Sequence, residues 1–388
     1  MHFHMPTLRG IARVRLSGPG RVPALVSKTL AAFPALPALL AAALFLLPNS
    51  PQAGVTNPDI SALGQVIGGY TDDANSSAKD EPTLRSGEME MVLDAYLNPY
   101  IKGWFTISGS EDGFALEEGY ASVVKGLPWG LNMKAGKYRL GFGKINPMHP
   151  HAYPFIDPPR SLVSLLPGGE EGFNETGVQV SELLPTLGDW ASTLSADLIE
   201  AKQFHPDRDF TRLGWLGRWA NDFLIGDIGA VETGVSAATG KVIAPDWDPA
   251  YLYGADVKAK FYLPGASQLT VQAEGVYRRF QESRSDFPAA GDTSIVQDHR
   301  TGFVTFADYR YHTQWNGGLF YEQWDRDGVS NATDRAFRVF AGYAVLEEST
   351  LLRLMYEHFI PALSGEDPVN TVSLQLLFSM GPHKAHQF

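Results

Sequence analysis

Apolar and polar residues alternate along much of the chain. From residue 251 to 263, one parity carries tyrosine, alanine, valine, phenylalanine and leucine, while the other carries Asp256, Lys258 and Lys260. The same period of two returns at 268–279 and at 370–380. Because neighbouring side chains of a strand point to opposite faces, each segment predicts a strand with one apolar face and one polar or charged face.

Sixteen such segments can be placed along the chain, many of them about ten residues long, the length that a tilted strand needs to cross a bilayer. The weakest reads equally well as a short helix, and fourteen strands is the competing count. When this weakest segment is counted as a strand, short connections alternate with longer ones, as turns and loops do in a membrane barrel. The predicted spans are 59–70, 87–97, 100–109, 114–124, 131–141, 175–184, 190–200, 213–221 (the weakest), 225–237, 250–263, 268–279, 300–311, 314–324, 335–346, 350–359 and 370–380.

The pattern predicts an all-β protein, a transmembrane antiparallel β-barrel of about 16 strands. A soluble sandwich has the same periodicity, but aromatic residues near strand ends favour a bilayer, where they would form an interfacial girdle. The terminal Phe388 resembles an outer-membrane assembly signal and would engage the assembly machinery. The aromatic residues in question are Tyr251, Tyr277, Trp315, Tyr343 and Tyr356.

The first fifty residues have the composition of a targeting segment. Five basic and no acidic residues precede or enter an apolar block at 30–47, which Pro34 and Pro37 interrupt. This order predicts a secretory signal peptide at residues 1–53, followed by the barrel at 54–388 and export to the outer membrane. An uncleaved anchor is the alternative.

Composition and charge narrow the classes of function. The chain has 31 basic and 43 acidic residues and no cysteine, so a thiolate metal site is excluded and a nucleic-acid partner is not expected. Removal of residues 1–53 would leave 26 basic against 43 acidic residues. The sequence contains no Gly-x-Ser-x-Gly, His-Glu-x-x-His or Walker motif, and we expect neither an enzyme nor a cofactor.

Five parts of the chain resemble a known family. They are Asn57–Gly64, Glu117–Ala121, Lys134–Arg139 with Phe142–Pro147, Glu170–Gly177 and Phe378–His386. On these residues the chain is similar to Gram-negative outer-membrane porins near the phosphate-selective porin O/P-like group. Members are often labelled zinc-regulated or TonB-dependent outer-membrane receptors. The resemblance covers most of residues 57–388 and implies a barrel in outer-membrane lipid, without identifying a solute.

Porin-like architecture predicts a water-filled channel for passive diffusion of small hydrophilic solutes or ions. The acidic balance favours a weak cation preference, and three copies could assemble as porins do. The longest connection, 142–174, carries six prolines and either constricts the lumen or forms an external flap. Strand parity predicts pore-lining side chains at Glu88, Glu90, Asp94, Lys102, Asp256, Lys258, Lys260, Glu274, Arg278, Arg353 and Glu357.

Two other functions are kept open. His149, His151 and Asp157 offer imidazole and carboxylate ligands in one loop, so a receptor or transporter for a metal such as zinc is an alternative. A closed structural or adhesive barrel is another. The adjacent Glu117 and Glu118 are expected to face opposite sides of a strand and therefore not to act as a pair.

Overall fold

The computed structural model describes residues 58–110, 113–204, 212–241, 249–284, 294–327, 329, 331–345 and 349–381. The expected signal peptide at 1–53 lies outside these ranges. So does the tail 382–388, with Phe388.

Antiparallel strands make up most of the described chain, and nearly all of them pair with the strand before and the strand after them in the sequence. The ring closes where β1 pairs with β17, from Ala62 opposite Met380 to Thr71 opposite Thr371. The strands are β1 (Asp59–Thr71), β2 (Thr83–Ser86), β3 (Met89–Asn98), β4 (Ile101–Ser110), β5 (Gly113–Val123), β6 (Asn132–Arg139), β7 (Asn174–Leu183), β8 (Trp190–Ile199), β9 (Gly214–Ile225), β10 (Gly229–Lys241), β11 (Pro249–Leu263), β12 (Ser267–Arg284), β13 (Ser294–Tyr311), β14 (Trp315–Asp325), β15 (Thr333–Ala344), β16 (Thr350–Ile360) and β17 (Val369–Met380).

The short strand β2 and its neighbour β3 occupy one position in the barrel wall. Both pair with β1, with Ser86 opposite Val66 and Glu90 opposite Leu63. Three residues of the β2–β3 side therefore face two of β1, which is the geometry of a β-bulge. Counted in this way, the wall has sixteen strand positions, as the sequence predicts. The weakest predicted strand is also confirmed, as β9.

The outer face of the barrel is apolar, and the inner face is polar or packed. On β17 Leu374 and Phe378 are exposed, whereas Gln375 between them is buried. The same alternation recurs on β11, β15 and β16. A closed barrel with an apolar outer band is built to span a bilayer, and in bacteria such barrels lie in the outer membrane. The chain is an outer-membrane β-barrel.

The helical segments among the described residues are few and short. The longest α-helix is Arg160–Leu165, and the 3₁₀ turns Pro150–Ala152 and Gly169–Glu171 flank it within the β6–β7 connection. None of the helices that the structure describes is long and apolar enough to cross a membrane.

Candidate functional site

The connection between β6 and β7, residues 140–173 (hereafter the inner loop), lies inside the barrel. Its side chains and backbone contact strands on opposite parts of the closed ring. His149 meets Glu90 on β3, whereas the backbone amide of Gly143 donates to Ser236 on β10. Further contacts reach β5, β12, β13, β14, β15 and β16. Only a segment within the lumen can reach all of these strands.

An aromatic cluster holds the middle of the inner loop. The ring of Phe155 lies edge-on to Phe306, Phe320 and Phe340, with centroid separations of 5.3, 4.9 and 5.8 Å. These three rings point inward from the adjacent strands β13, β14 and β15. The inner face of this part of the wall is therefore apolar, and the loop covers it. Burial of large aromatic side chains is the main apolar stabilisation available to such a loop.

Two wall carboxylates receive backbone N–H groups of the inner loop. Glu274 accepts from the amides of Lys144 and Ile145, at 3.0 and 3.1 Å. Glu322 accepts from Arg160 and Ser161, at 3.2 and 2.8 Å, where the short helix begins. Charge-assisted bonds of this kind satisfy backbone groups that have no strand partner.

Arginines and carboxylates form a network beside the helix. Arg338 donates to Glu357 at 2.6 Å and to Glu322 at 3.1 Å, and it also reaches the backbone oxygen of Asp157 at 2.9 Å. Arg160, from the loop, donates to the same Glu357 at 2.6 Å. The network joins the loop to β14, β15 and β16 by paired charges, the form in which charges are tolerated when buried.

A second cluster lies where His149 meets the opposite wall. Its Nδ1 is 3.3 Å from Glu90 Oε2 and 3.4 Å from Glu117 Oε1, and its Nε2 is 3.0 Å from Glu118 Oε2. His151 Nδ1 is 3.2 Å from the same Glu90 oxygen. All five side chains are more than nine-tenths buried. Burial opposes a charged imidazole, but the hydrogen bonds and charges of these carboxylates outweigh it and raise the pKa of His149 well above its usual value.

The expectation for Glu117 and Glu118 was wrong. The β4–β5 register pairs Thr106 with Glu118 and Ile107 with Leu116, so Glu117 is an extra residue on β5. A β-bulge of this kind interrupts the alternation of faces. Both carboxylates therefore point inward, where Glu117 also binds Arg139 at 2.6 Å. A regular strand pattern could not reveal this.

A cavity of about 980 Å³ adjoins the inner loop and will be called the vestibule. It lies towards the end of the barrel that carries the longer connections, since Ser110, Gly113 and Asp327 line it. Its lining includes five arginine or lysine side chains and seven carboxylates. Several of these charges are paired in the clusters above. The vestibule is thus polar, with a small excess of acidic groups.

The predicted pore-lining residues all have buried or half-buried side chains on the inner face. Several contact the inner loop: besides Glu90, Glu274 and Glu357, Arg353 donates to the backbone oxygen of His151 at 2.9 Å, and Arg278 to that of Leu165 at 3.3 Å. The buried ones are Glu90, Asp94, Asp256, Lys258, Glu274, Arg353 and Glu357, and the half-buried ones are Glu88, Lys102, Lys260 and Arg278.

The proposed metal-ligand set is only partly brought together. His149 and His151 lie side by side, with ring centroids 5.7 Å apart. Asp157 lies elsewhere, with its carboxylate 3.7 Å from Arg85, and burial raises its pKa. The carboxylates beside the histidines are those of Glu90, Glu117 and Glu118. Of these, strand parity identified Glu90 as inward-facing, but no local pattern linked any of them to the loop histidines.

Four residues of the ion pairs around the inner loop were not among the predicted site residues. Glu322 and Arg338 lie on well-predicted strands, so the same parity argument could have found them. Arg139 and Arg160 could not be found in that way, because Arg139 binds Glu117, which a β-bulge turns inward, and Arg160 lies in the inner loop itself.

Comparisons with known proteins identify the fold. No model of a protein family matches the chain. A curated relative, an uncharacterized protein of Aquifex aeolicus (strain VF5), is 28% identical over 336 residues, which are 77% of this chain and 69% of the relative.

Among the similar solved structures, one is described as an outer-membrane channel and another as an anion-selective porin. The channel DcaP of Acinetobacter baumannii superposes with a TM-score of 0.58 at 13% identity, covering 85% of this chain and 100% of DcaP. OmpF of Salmonella typhi gives 0.56 at 7%, covering 83% and 97%. An anion-selective porin of Comamonas acidovorans gives 0.55 at 11%, covering 84% and 99%. At these identities the likeness shows the fold, that of the 16-stranded porins.

Proposed function

We propose that the protein is an outer-membrane porin through which small hydrophilic solutes or ions diffuse passively. The observation that carries the proposal is the sixteen-position closed wall with a polar vestibule inside it. Barrels of 16–18 strands are wide enough to leave an aqueous channel. The inner loop narrows that channel, and the eleven inward-facing residues named above line the path beside it.

The proposed ion preference is weakly cationic. Acidic groups outnumber basic ones in the vestibule lining by seven to five. Glu170 and Glu171 at its edge are exposed, and Glu88 is half-buried. A ring or cluster of carboxylates raises the local concentration of cations and hinders anions. Both signs are present, so the preference is expected to be small.

The experiment is a planar-bilayer recording of the refolded chain under a salt gradient. Stable current steps support a diffusion channel, and the sign of the reversal potential reports the ion preference. A preference for chloride over potassium would contradict the cationic assignment. Liposome swelling with uncharged sugars of increasing size would separately measure the width of the path.

A metal-specific receptor is the second candidate, because two histidines and three carboxylates meet inside the lumen. The wall of this barrel closes at sixteen strand positions, whereas in the TonB-dependent architecture about 22 strands enclose a plug.

Membership of the phosphate-selective O/P-like group stays a hypothesis. Assembly into three copies is also a hypothesis. It is supported by one similar structure, OmpT of Vibrio cholerae, which is described in a trimer form. Catalysis is not part of the proposal.

A further inference from the structure

We propose that Glu90, Glu117, His149 and His151 form a binding site for a divalent transition-metal ion, which fastens the inner loop to the barrel wall. This site is independent of whether the lumen conducts. It differs from the set expected from the sequence, because Asp157 is replaced by two carboxylates from β3 and β5.

The proposed ligand atoms have the spacing that a tetrahedral metal site requires. A tetrahedral zinc ion with bonds of about 2.0–2.1 Å holds neighbouring ligand atoms about 3.4 Å apart. His149 Nδ1 lies 3.3 Å from Glu90 Oε2 and 3.4 Å from Glu117 Oε1, while His151 Nδ1 lies 3.2 Å from Glu90 Oε2. The three measured separations match the edges of such a tetrahedron.

A buried carboxylate oxygen supplies the second observation. Glu117 is 8% exposed, and its Oε1 accepts from Arg139, but its Oε2 is buried and has no hydrogen-bond partner among the described residues. Leaving a charged oxygen unsatisfied in this way is costly. A metal ion that Glu117 chelates through both carboxylate oxygens would also give Oε2 a partner.

The surroundings orient the ligands as metal sites require. His149 Nε2 lies 3.0 Å from Glu118 Oε2, so the ring nitrogen that does not face the proposed ion has a carboxylate partner. This is the carboxylate–histidine–metal arrangement that fixes the tautomer and raises ligand basicity. Glu118 is held in turn by the backbone amide of Arg139 at 2.9 Å.

Charge balance points to a divalent ion. An imidazole must be neutral to bind a metal, so binding would displace the proton of His149, after which three carboxylates and the guanidinium of Arg139 leave two negative charges. A divalent cation would neutralise them within a buried cluster. Two imidazole ligands favour zinc, copper or nickel over calcium and magnesium, which prefer sites built from oxygen alone.

The test is calorimetric titration of Zn²⁺ into the full chain, folded in detergent and stripped of metal by a chelator. One saturable site per chain is expected. The variant His149→Ala should lose it. Glu118→Gln, which keeps the side-chain shape, should weaken binding by about 10–100-fold, the usual effect of removing an orienting partner. Magnesium should not compete.

Matched controls separate this site from other histidines. His358→Ala removes a histidine of β16 that contacts Asn370, and the double variant His383→Ala/His386→Ala removes the last two histidines of the sequence. Both should bind zinc as the unaltered chain does, and circular dichroism should verify folding of every variant. Absence of saturable binding to the folded chain would overturn the proposal. So would unchanged affinity in His149→Ala or in Glu118→Gln.

Discussion

Replacement of Phe155 by alanine should loosen the inner loop without unfolding the barrel. The ring is 1% exposed and makes edge-on contacts with three wall phenylalanines. The strands themselves do not depend on it, because their hydrogen-bond ladders run from neighbour to neighbour around the wall.

The loss of free energy that holds the inner loop in place can be worked out from the contacts of the Phe155 ring. Truncation of a buried phenylalanine to alanine costs about 3–5 kcal/mol. Each aromatic pair contributes about 0.5–1.5 kcal/mol beyond its area, so three pairs account for much of that loss. Because this loss weakens only the docking of the inner loop against the wall, the population of chains with an undocked loop should rise by at least 100-fold.

Single-channel recording provides the assay. We expect Phe155→Ala to give a larger mean conductance and more open-channel noise than the unaltered chain. The matched control is Phe337→Ala on β15, a phenylalanine that is 45% exposed on the outer face. It should leave conductance unchanged. If Phe155→Ala and the unaltered chain conduct alike, with equal noise, the inner loop is not held by this cluster or does not restrict the path.

Two further changes test other parts of the account. Gly143 has a φ of +65°, and a Cβ there would overlap a wall carboxylate that binds the loop amides, so Gly143→Ala should also raise conductance and noise. Gly188→Ala is its control, because Gly188 has a φ of +62° with nothing within 4 Å; a similar effect of both variants would refute the reasoning. The double variant Glu170→Gln/Glu171→Gln should move the reversal potential towards anions by a few millivolts while conductance stays near that of the unaltered chain; an unmoved potential would remove these residues from the proposed selectivity.

The strands could be predicted because the alternation that identifies each one lies within a short segment of the sequence. A period of two fixes which residues share a face, and the pairing of neighbours then follows from chain order. Even β9, whose sequence also fits a short helix, was found by the parity of its residues and the alternation of long and short connections. The inward-facing side chains were obtained by the same argument.

The contacts of the inner loop could not be predicted because they join residues that are distant in sequence. Phe155 is held by residues of β13 to β15, more than 150 positions later. His149 meets Glu90 and Glu117, which precede it, whereas the nearby Asp157 pairs with Arg85. Sequence proximity therefore selected the wrong carboxylate. The bulge at Glu117 added a second error, because it breaks the periodicity on which the strand argument rests.

The most direct test of the central claim compares the unaltered chain with a variant whose inner loop is shortened by replacing residues 149–167 with a short glycine–serine linker. Both would be refolded and recorded in planar bilayers in the same potassium chloride solution. The account predicts stable steps for the unaltered chain and a several-fold larger conductance for the shortened one, as expected when a lumen of this strand number is cleared. Equal conductances, or a folded shortened barrel that passes no current, would contradict it.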